Sequence, residues 1–193
     1  MKFYDYKTQI EQAIADKNWA RSAELQQKMA EELNQLKAPM GIYLAPGNHE
    51  YISGMEACEA FLKNTPIHLL RDSLVTLPNG LQIIGRDDRS NRHRLPIDEL
   101  MKQADPTKPT LLIDHQPYQM AQKDSLGIDI QFSGHTHRGQ VWPLSLLVDN
   151  MYEQSHGYRK WNHSHVYVSS GLSLWGPPFR IGTNSDMGIL TIQ

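Results

Sequence analysis

Histidine supplies most of the side chains in this sequence that could do chemistry. The chain has nine His among 193 residues. His49, His115, His135 and His137 all lie in short polar segments that directly follow apolar runs. Neutral imidazole binds transition metals, and it donates or accepts a proton near neutral pH. Their position predicts a metal or acid–base site.

The cysteine count and the histidine spacing narrow the kind of site. Cys58 is the single cysteine, which excludes an intrachain disulfide and an all-cysteine zinc site. In an extended segment, the two residues of a His-x-His pair lie about 7 Å apart at their Cα atoms. His135 and His137 form such a pair, and so do His163 and His165, and either pair alone is typical of solvated or packed histidines.

Hydrophobic patterning predicts the elements that must position these residues. Residues 6–36 have the composition and periodicity of helix, and both one helix with a break before Trp19 and two helices are allowed. Helices are also predicted over 54–63 and 97–103, and strands over 41–44, 67–77, 81–84, 110–113, 128–132, 165–169 and 188–192. Three of these strands run into histidine-bearing loops, and strand ends at one sheet edge form the ligand crevice of open α/β folds.

Charge and hydropathy exclude several function classes. The 19 Lys and Arg against 21 Asp and Glu give a net charge of -2, which argues against a nucleic-acid partner because such affinity comes from clustered basic residues. No apolar run approaches the roughly 20 residues that span a bilayer, and the first residues are too polar for a signal peptide. The sequence as written predicts a cytoplasmic protein.

The histidine segments together carry a resemblance to a known family. G-N-H-E, a strand ending in H-x-P, and G-H-T-H-x-G-Q follow one another from about residue 37 onward. This order resembles the calcineurin-like metallophosphoesterase superfamily, and G-H-T-H-R-G-Q-V-W-P resembles its bacterial branch of membrane-associated phosphodiesterases that act on lipid headgroups. The resemblance implies an α/β sandwich of two mixed sheets flanked by helices.

The resemblance also implies a set of metal ligands. Asn48, His115 and His135 would bind one metal of a dinuclear site, and His137 would bind the other. Imidazole nitrogens and an amide oxygen suit a divalent transition metal, namely Mn, Fe, Zn or Ni. Two metals in the family's site would activate water for attack on a phosphoric ester.

Three further residues have implied roles around those ligands. His49 would be the outer-sphere catalytic histidine, which donates a proton to the leaving group or holds a phosphate oxygen. Glu50 is either the partner of the second His49 nitrogen or a surface acid. Arg180 lies in a Gly/Pro-rich loop and is expected to contact phosphate.

One departure from the family pattern changes the expectation for this chain. The superfamily begins with strands that end in Asp-x-His and Gly-Asp, and neither pair occurs before Asn48. We therefore predict a single N-terminally truncated domain over 1–193, with a helical lead over 1–37 and a motif-bearing core over 38–193 that lacks the first two core strands. Such a chain would hold at most one metal ion.

Two functions follow as expectations. The first is metal-dependent hydrolysis of phosphoric esters, as a phosphodiesterase or phosphatase with manganese among its candidate metals, weak or absent in this isolated chain. The alternative is a non-catalytic metallophosphoesterase fragment that acts as an interaction module. In either case an exposed edge of the strand at 41–44 predicts self-association or binding of an N-terminal complementing segment. Membrane association is expected if an N-terminal anchor is missing.

Overall fold

The computed structural model describes residues 2–192, with side chains described for Tyr6 and from Thr8 onward. Met1 and Gln193, the two ends of the predicted single domain, lie outside the described residues. In this part of the chain, no helix is long and apolar enough to cross a bilayer.

Helices and strands alternate along much of the chain. In chain order the elements are α1 (Lys2–Ala15), α2 (Trp19–Leu33), β1 (Ile42–Leu44), α3 (Asn48–Ser53), α4 (Met55–Leu62), β2 (Ile67–Leu69), β3 (Ser73–Thr76), β4 (Gln82–Gly85), α5 (Ile97–Met101), β5 (Thr110–Ile113), α6 (Met120–Ser125), β6 (Ile130–Ser133), a 3-10 turn (His137–Gly139), α7 (Leu144–Met151), β7 (Gly157–Lys160) and β8 (His165–Val168). They divide into two compact units: a first that runs to Tyr43 and resumes over Ile52–Leu69, and a second made of Leu44–Tyr51 and the residues from Leu70 onward. The predicted boundary at residue 37 stays a prediction.

The first unit is mainly helical. Of the two alternatives for residues 6–36, the structure has two helices, α1 and α2, which contact one another. The break lies at Lys17, whose φ of 54° is not helical. Asn18 then caps α2, since its side chain accepts a hydrogen bond from the Arg21 N–H at 3.1 Å. Leu25 is 2% exposed and anchors α2 in this unit.

The second unit is built on a six-stranded sheet in the order β3-β4-β5-β6-β8-β7. The four inner strands are parallel to one another, and β3 and β7 pair antiparallel at the two edges. A second sheet joins β1 to β2. The α/β prediction of two sheets flanked by helices is therefore confirmed.

The core explains why the inner strands are so apolar. Strands covered on both faces carry near-continuous hydrophobic runs, and β4 is buried over its whole length. Ile84 and Leu112 from the sheet are fully buried against Ile97 and Leu100 of α5. Met120 of α6 packs in the same way against β8. These contacts fix the parallel strands whose carboxyl ends carry the histidines.

Two predicted strands are wrong. Residues 67–77 form two strands, β2 and β3, in separate sheets, because Asp72 between them adopts a φ of 45°. The Asp72 carboxylate accepts hydrogen bonds from the N–H groups of Asp87 and Leu95 at 2.9 and 2.7 Å, which stabilises that turn. Residues 188–192 form no strand in the described structure. Helices α3, α6 and α7 and strand β7 were not predicted.

Candidate metal centre

Three donor atoms from distant parts of the second unit converge on one point. Asn48 Oδ1, at the start of α3, lies 3.0 Å from His115 Nε2 and 3.1 Å from His135 Nδ1. The two ring nitrogens are 3.3 Å apart. His115 follows β5 and His135 follows β6, and these strands are parallel neighbours, so both residues leave the sheet at the same edge.

The spacing of these atoms fits a shared cation. Ligand atoms at about 2.1 Å from one ion that subtend a right angle are about 3.0 Å apart. Two imidazole nitrogens and an amide oxygen are ligands that first-row divalent metals accept. Among the described residues, no group of three or more His, Cys, Asp or Glu is placed to hold a metal ion. The third atom of this triangle is the amide oxygen of Asn48. The triangle fits one ion.

The electrostatics keep the two imidazoles neutral. Burial lowers the pKa of His115 to about 4, and repulsion from a charged His135 adds to the shift. Burial also lowers the pKa of His135, although the nearby Asp88 carboxylate opposes that shift. A metal ligand must be unprotonated, so both rings are available as ligands at neutral pH.

Two residues of the G-N-H-E segment, Gly47 and Glu50, have local structural roles. A Cβ atom at Gly47 would lie 2.8 Å from Nε2 and Cδ2 of His115, which is closer than side-chain carbons approach. Glu50 Oε2 accepts a hydrogen bond from the Gly47 N–H at 2.7 Å, as a carboxylate does at the start of a helix. Gly47 thus admits the His115 ring, and Glu50 holds the turn that presents Asn48. The predicted contact between Glu50 and His49 stays a prediction.

The G-H-T-H segment reaches the site through an irregular backbone. His135, His137 and Arg138 all have positive φ, at 68°, 47° and 49°. Thr136 holds the turn because its hydroxyl donates to the Ser155 carbonyl at 2.6 Å and accepts the Arg138 N–H at 3.2 Å. Strain of this kind persists only where surrounding structure imposes it, and it concentrates at functional sites.

His137 and Arg180 contact one another rather than the three converging atoms. Arg180 Nη2 lies 3.4 Å from His137 Nδ1, and Arg180 Nη1 donates to the His137 carbonyl at 3.1 Å. Nη2 also donates to the carbonyls of Ser170 and Ser173 at 2.6 and 2.9 Å. The predicted phosphate-binding guanidinium is therefore bonded to loop backbone, and both predicted roles stay predictions.

The carboxylates near the site are bonded to other protein groups. Asp114 Oδ2 lies 2.8 Å from Lys123 Nζ and 3.2 Å from Arg86 Nη1, and all three side chains are almost fully buried. Asp88 accepts two hydrogen bonds from the Gln116 amide, at 2.9 and 3.2 Å. The Asp114 charge thereby balances the buried Lys123 and Arg86 cations.

A cavity of about 400 Å³ is lined by the three donor residues and has two chemically distinct kinds of lining. The polar lining comes from Asn48, His49 and the histidines at 115, 135 and 137. The apolar lining comes from side chains of α7, together with Tyr152 and Trp175. The predictions missed Tyr152 and the helical form of α7, although Leu144, Leu147 and Met151 have a helical spacing that could have indicated it.

Similarity to known proteins identifies the family of this chain. A family model described as calcineurin-like phosphoesterase matches residues 13–139. The chain belongs to the calcineurin-like phosphoesterase family. The superfamily prediction is therefore confirmed. Calcineurin-like phosphoesterases generally use divalent metals, which agrees with the donor set that converges here.

Named relatives extend this similarity without defining a substrate. An uncharacterized metallophosphoesterase of Helicobacter pylori strain J99 is 39% identical over 83% of this chain and 45% of the relative. One from Aquifex aeolicus is 30% identical over 86% of this chain and 66% of the relative. A Danio rerio protein named transmembrane protein with metallophosphoesterase domain is 30% identical over 85% of this chain and 41% of the relative. The chain spans about half the length of the first relatives it matches.

Proposed function

We propose that this chain carries the metal- and substrate-binding half of a phosphodiesterase whose substrate has an apolar substituent, as a lipid headgroup ester does. The observation that carries the proposal is the cavity, which joins three convergent donors to an apolar wall. The polar lining suits the phosphoryl group. The apolar lining suits a hydrocarbon substituent, because burying apolar surface is favourable.

Asn48, His115 and His135 would hold one divalent transition-metal ion, with Mn as the first candidate among Mn, Fe, Zn and Ni. An ion there supplies Lewis-acid polarisation of the phosphoryl oxygens and lowers the pKa of water. His137 lines the same cavity and is the proposed ligand for a second ion. The single triangle of donors supports one weakly held ion in this chain alone.

The remaining chemistry falls to His49. Hydrolysis adds water across one P–O ester bond, so phosphorus gains the water oxygen and the leaving ester oxygen takes a proton. His49 belongs to the polar lining of the cavity, and as an imidazolium it would donate that proton or hold a phosphate oxygen. The apolar wall would exclude bulk water from the cavity while it binds the substituent.

The test is turnover of a chromogenic phosphodiester by the purified chain with Mn²⁺. We expect slow hydrolysis, far below that of a full-length family member, that is lost on chelation and in His135→Ala. Turnover that is indifferent to His135→Ala would overturn the proposal. Metal binding without any turnover would instead favour the non-catalytic interaction module.

Membrane association is part of the proposal, and exposed apolar residues beside the cavity support it. Trp142 and Leu146 are 62% and 57% exposed, and Leu147 and Met151 continue the apolar surface along α7. Helices with one apolar face lie in membrane interfaces in this way. This exposure favours a lipid-contacting surface over core packing for these side chains. Sedimentation with phosphatidylcholine vesicles tests it, since Leu146→Glu should leave the protein in the supernatant.

Association through the strand at 41–44 is the remaining proposal. In the structure this strand is β1, which pairs with β2, and its three residues are half-buried. We propose that β1 pairs on its other edge with a second copy or with a separate segment that carries Asp-x-His and Gly-Asp. Light scattering after size exclusion measures this, and a monomer at high concentration that ignores such a segment would contradict it.

A further inference from the structure

Gln140 holds the cavity wall by an unusual set of contacts. Its side chain is 1% exposed, and both ends of its amide bond to the backbone of Trp175. Nε2 donates to the Trp175 carbonyl at 2.5 Å, and Oε1 accepts the Trp175 N–H at 2.6 Å. Nε2 also donates to the Pro177 carbonyl at 3.0 Å. The amide thereby uses both donors and its acceptor on one loop.

The backbone of Gln140 ties that loop to the histidine segment. Its N–H donates to the His137 carbonyl at 2.9 Å, and its own carbonyl accepts from the Ile181 N–H at 3.1 Å and the Thr183 hydroxyl at 2.8 Å. The residue has a φ of 57° and a ψ of -42°, which is unfavourable for a residue with a side chain. The surrounding hydrogen bonds therefore impose this conformation.

The neighbouring Gly139 positions the other half of the wall. A Cβ atom there would lie 2.5 Å from the Ser145 nitrogen and 2.6 Å from the Leu144 carbonyl carbon, so only glycine lets α7 begin so close. Leu144 and Leu147 of α7 line the cavity, and so does Trp175. Two consecutive residues, Gly139 and Gln140, thus hold both groups of apolar lining residues, the start of α7 and the Trp175 loop.

We infer that Gln140 is a positioning residue that fixes Trp175 as the wall for the apolar substituent and so determines which phosphoesters the cavity prefers. This inference rests on the proposed function, because it assigns the apolar lining to a substituent of the substrate. Gln140 does not line the cavity and does not contact the three donors in the structure. Its effect must therefore act through Trp175, whose indole is 54% exposed at the cavity.

The chain contains a matched control for this contact. Gln82 is also 1% exposed, and its amide likewise bonds both the carbonyl and the N–H of one loop residue, Asp105, at 2.9 and 2.8 Å. It begins β4 at the amino end of the parallel strands, away from the histidines. Gln82→Glu and Gln140→Glu both replace the amide nitrogen, with its two donors, by a carboxylate oxygen. Because only Gln140 holds a residue that lines the cavity, a difference in ligand affinity between the two variants reports on the cavity.

The experiment compares the affinities of octylphosphonate and methylphosphonate for the Mn²⁺-loaded protein by calorimetry. The wild type is expected to prefer the octyl compound. Gln140→Glu should reduce that preference about tenfold, as a displaced aromatic contact would, while Gln82→Glu retains it. Trp175→Ala should remove the preference, and adding Gln140→Glu to it should have no further effect if the two residues act as one unit. Gln140→Ala is the second variant if the buried carboxylate prevents folding.

A second readout is independent of any ligand. Exchange of the Trp175 amide hydrogen with solvent deuterium should accelerate in Gln140→Ala, whereas Gln140→Glu retains the acceptor and keeps the amide protected. Equal binding of the two phosphonates by the wild type, or an unchanged preference in Gln140→Glu, would overturn the inference. If the wild type prefers the octyl compound and Gln140→Glu reduces that preference, but the wild type hydrolyses no phosphodiester, the inference about Gln140 holds and only the proposed function is contradicted.

Discussion

The two ends of the four parallel strands differ in what their polar groups contact. At the amino ends, the Gln82 amide bonds the Asp105 backbone, and the Asp129 carboxylate accepts the Thr110 N–H at 2.8 Å. Side chains there close loops by bonding to backbone groups. At the carboxyl ends, Asn48, His115 and His135 instead point their donor atoms at one another.

The difference shows how one sheet separates stability from chemistry. The Asp105 and Thr110 backbone groups at the amino ends are bonded to nearby side chains. At the carboxyl ends, His135 and His137 have positive φ values, and Asp114, next to His115, belongs to a buried ion cluster. Strained backbone of this kind is concentrated at functional sites.

Replacing one histidine at each end of the parallel strands should show the largest difference between the two regions. His135→Ala takes away one of the three convergent donors, so we expect loss of Mn²⁺ binding and at least about a thousandfold lower turnover, since an ion contributes several kcal/mol to the transition state. His165→Ala removes a histidine that begins β8 at the amino end and contacts Tyr158 at 2.9 Å. It should leave both unchanged.

Elemental analysis after dialysis measures the metal content of both variants. The wild type should hold one ion per chain at most. Two tightly held ions would show that further ligands exist, and Asp87 and Asp88 would be the first residues to replace.

Sequence patterns could predict the donors but not the cavity wall. His115 and His135 were found because each follows an apolar strand, and strand direction then places them at one edge. Glu50 and Arg180 were predicted from their positions, next to His49 and in a Gly/Pro-rich loop, and the structure shows each bonded to backbone, at Gly47 and at the carbonyls near Ser170. Contacts of this kind depend on loop geometry, which local sequence periodicity does not encode.

The strand errors have a related cause. Residues 67–77 are apolar enough for one strand, and a single left-handed residue, Asp72, divides them. Its conformation is stabilised by hydrogen bonds to Asp87 and Leu95, which are distant in sequence. Residues 188–192 include three large apolar side chains, as a buried strand does, yet they pair with no neighbouring strand in the described structure.

Replacing one aspartate by asparagine at each end of the parallel strands should lower the free energy of unfolding by different amounts. Asp114→Asn leaves Lys123 and Arg86 buried without a counter-charge, so we expect about 3 kcal/mol lower unfolding free energy. Asp129→Asn keeps an oxygen that can accept the Thr110 N–H, and it should change stability little. Urea unfolding at pH 7 measures both, and equal losses would show that the charge of Asp114 has no special role.

Acid should destabilise the carboxyl end through His115. Burial holds its pKa at about 4 in the folded protein, below the ordinary 6.5, so the unfolded chain binds the proton first as pH falls. The stability contributed by the neutral ring is complete above about pH 6.5 and is lost progressively down to about pH 4, by about 3 kcal/mol. His115→Gln should flatten this part of the profile, measured by urea unfolding of the metal-free protein. A variant that retains the full slope would assign it to another group.

The smallest change distinguishes two glycines within the carboxyl end. At Gly47 an added Cβ would lie 2.8 Å from the His115 ring, whereas at Gly134 the nearest atom, the Ser169 carbonyl oxygen, is 4.0 Å away. Gly47→Ala should therefore displace His115 from the donor triangle and weaken Mn²⁺ binding about tenfold, which corresponds to about 1.4 kcal/mol. Gly134→Ala, next to His135 but with space for its methyl group, should retain the affinity within about twofold. Mn²⁺ titration followed by electron paramagnetic resonance gives both constants. If both substitutions weaken binding equally, loop flexibility rather than the close approach of Gly47 to His115 governs the site.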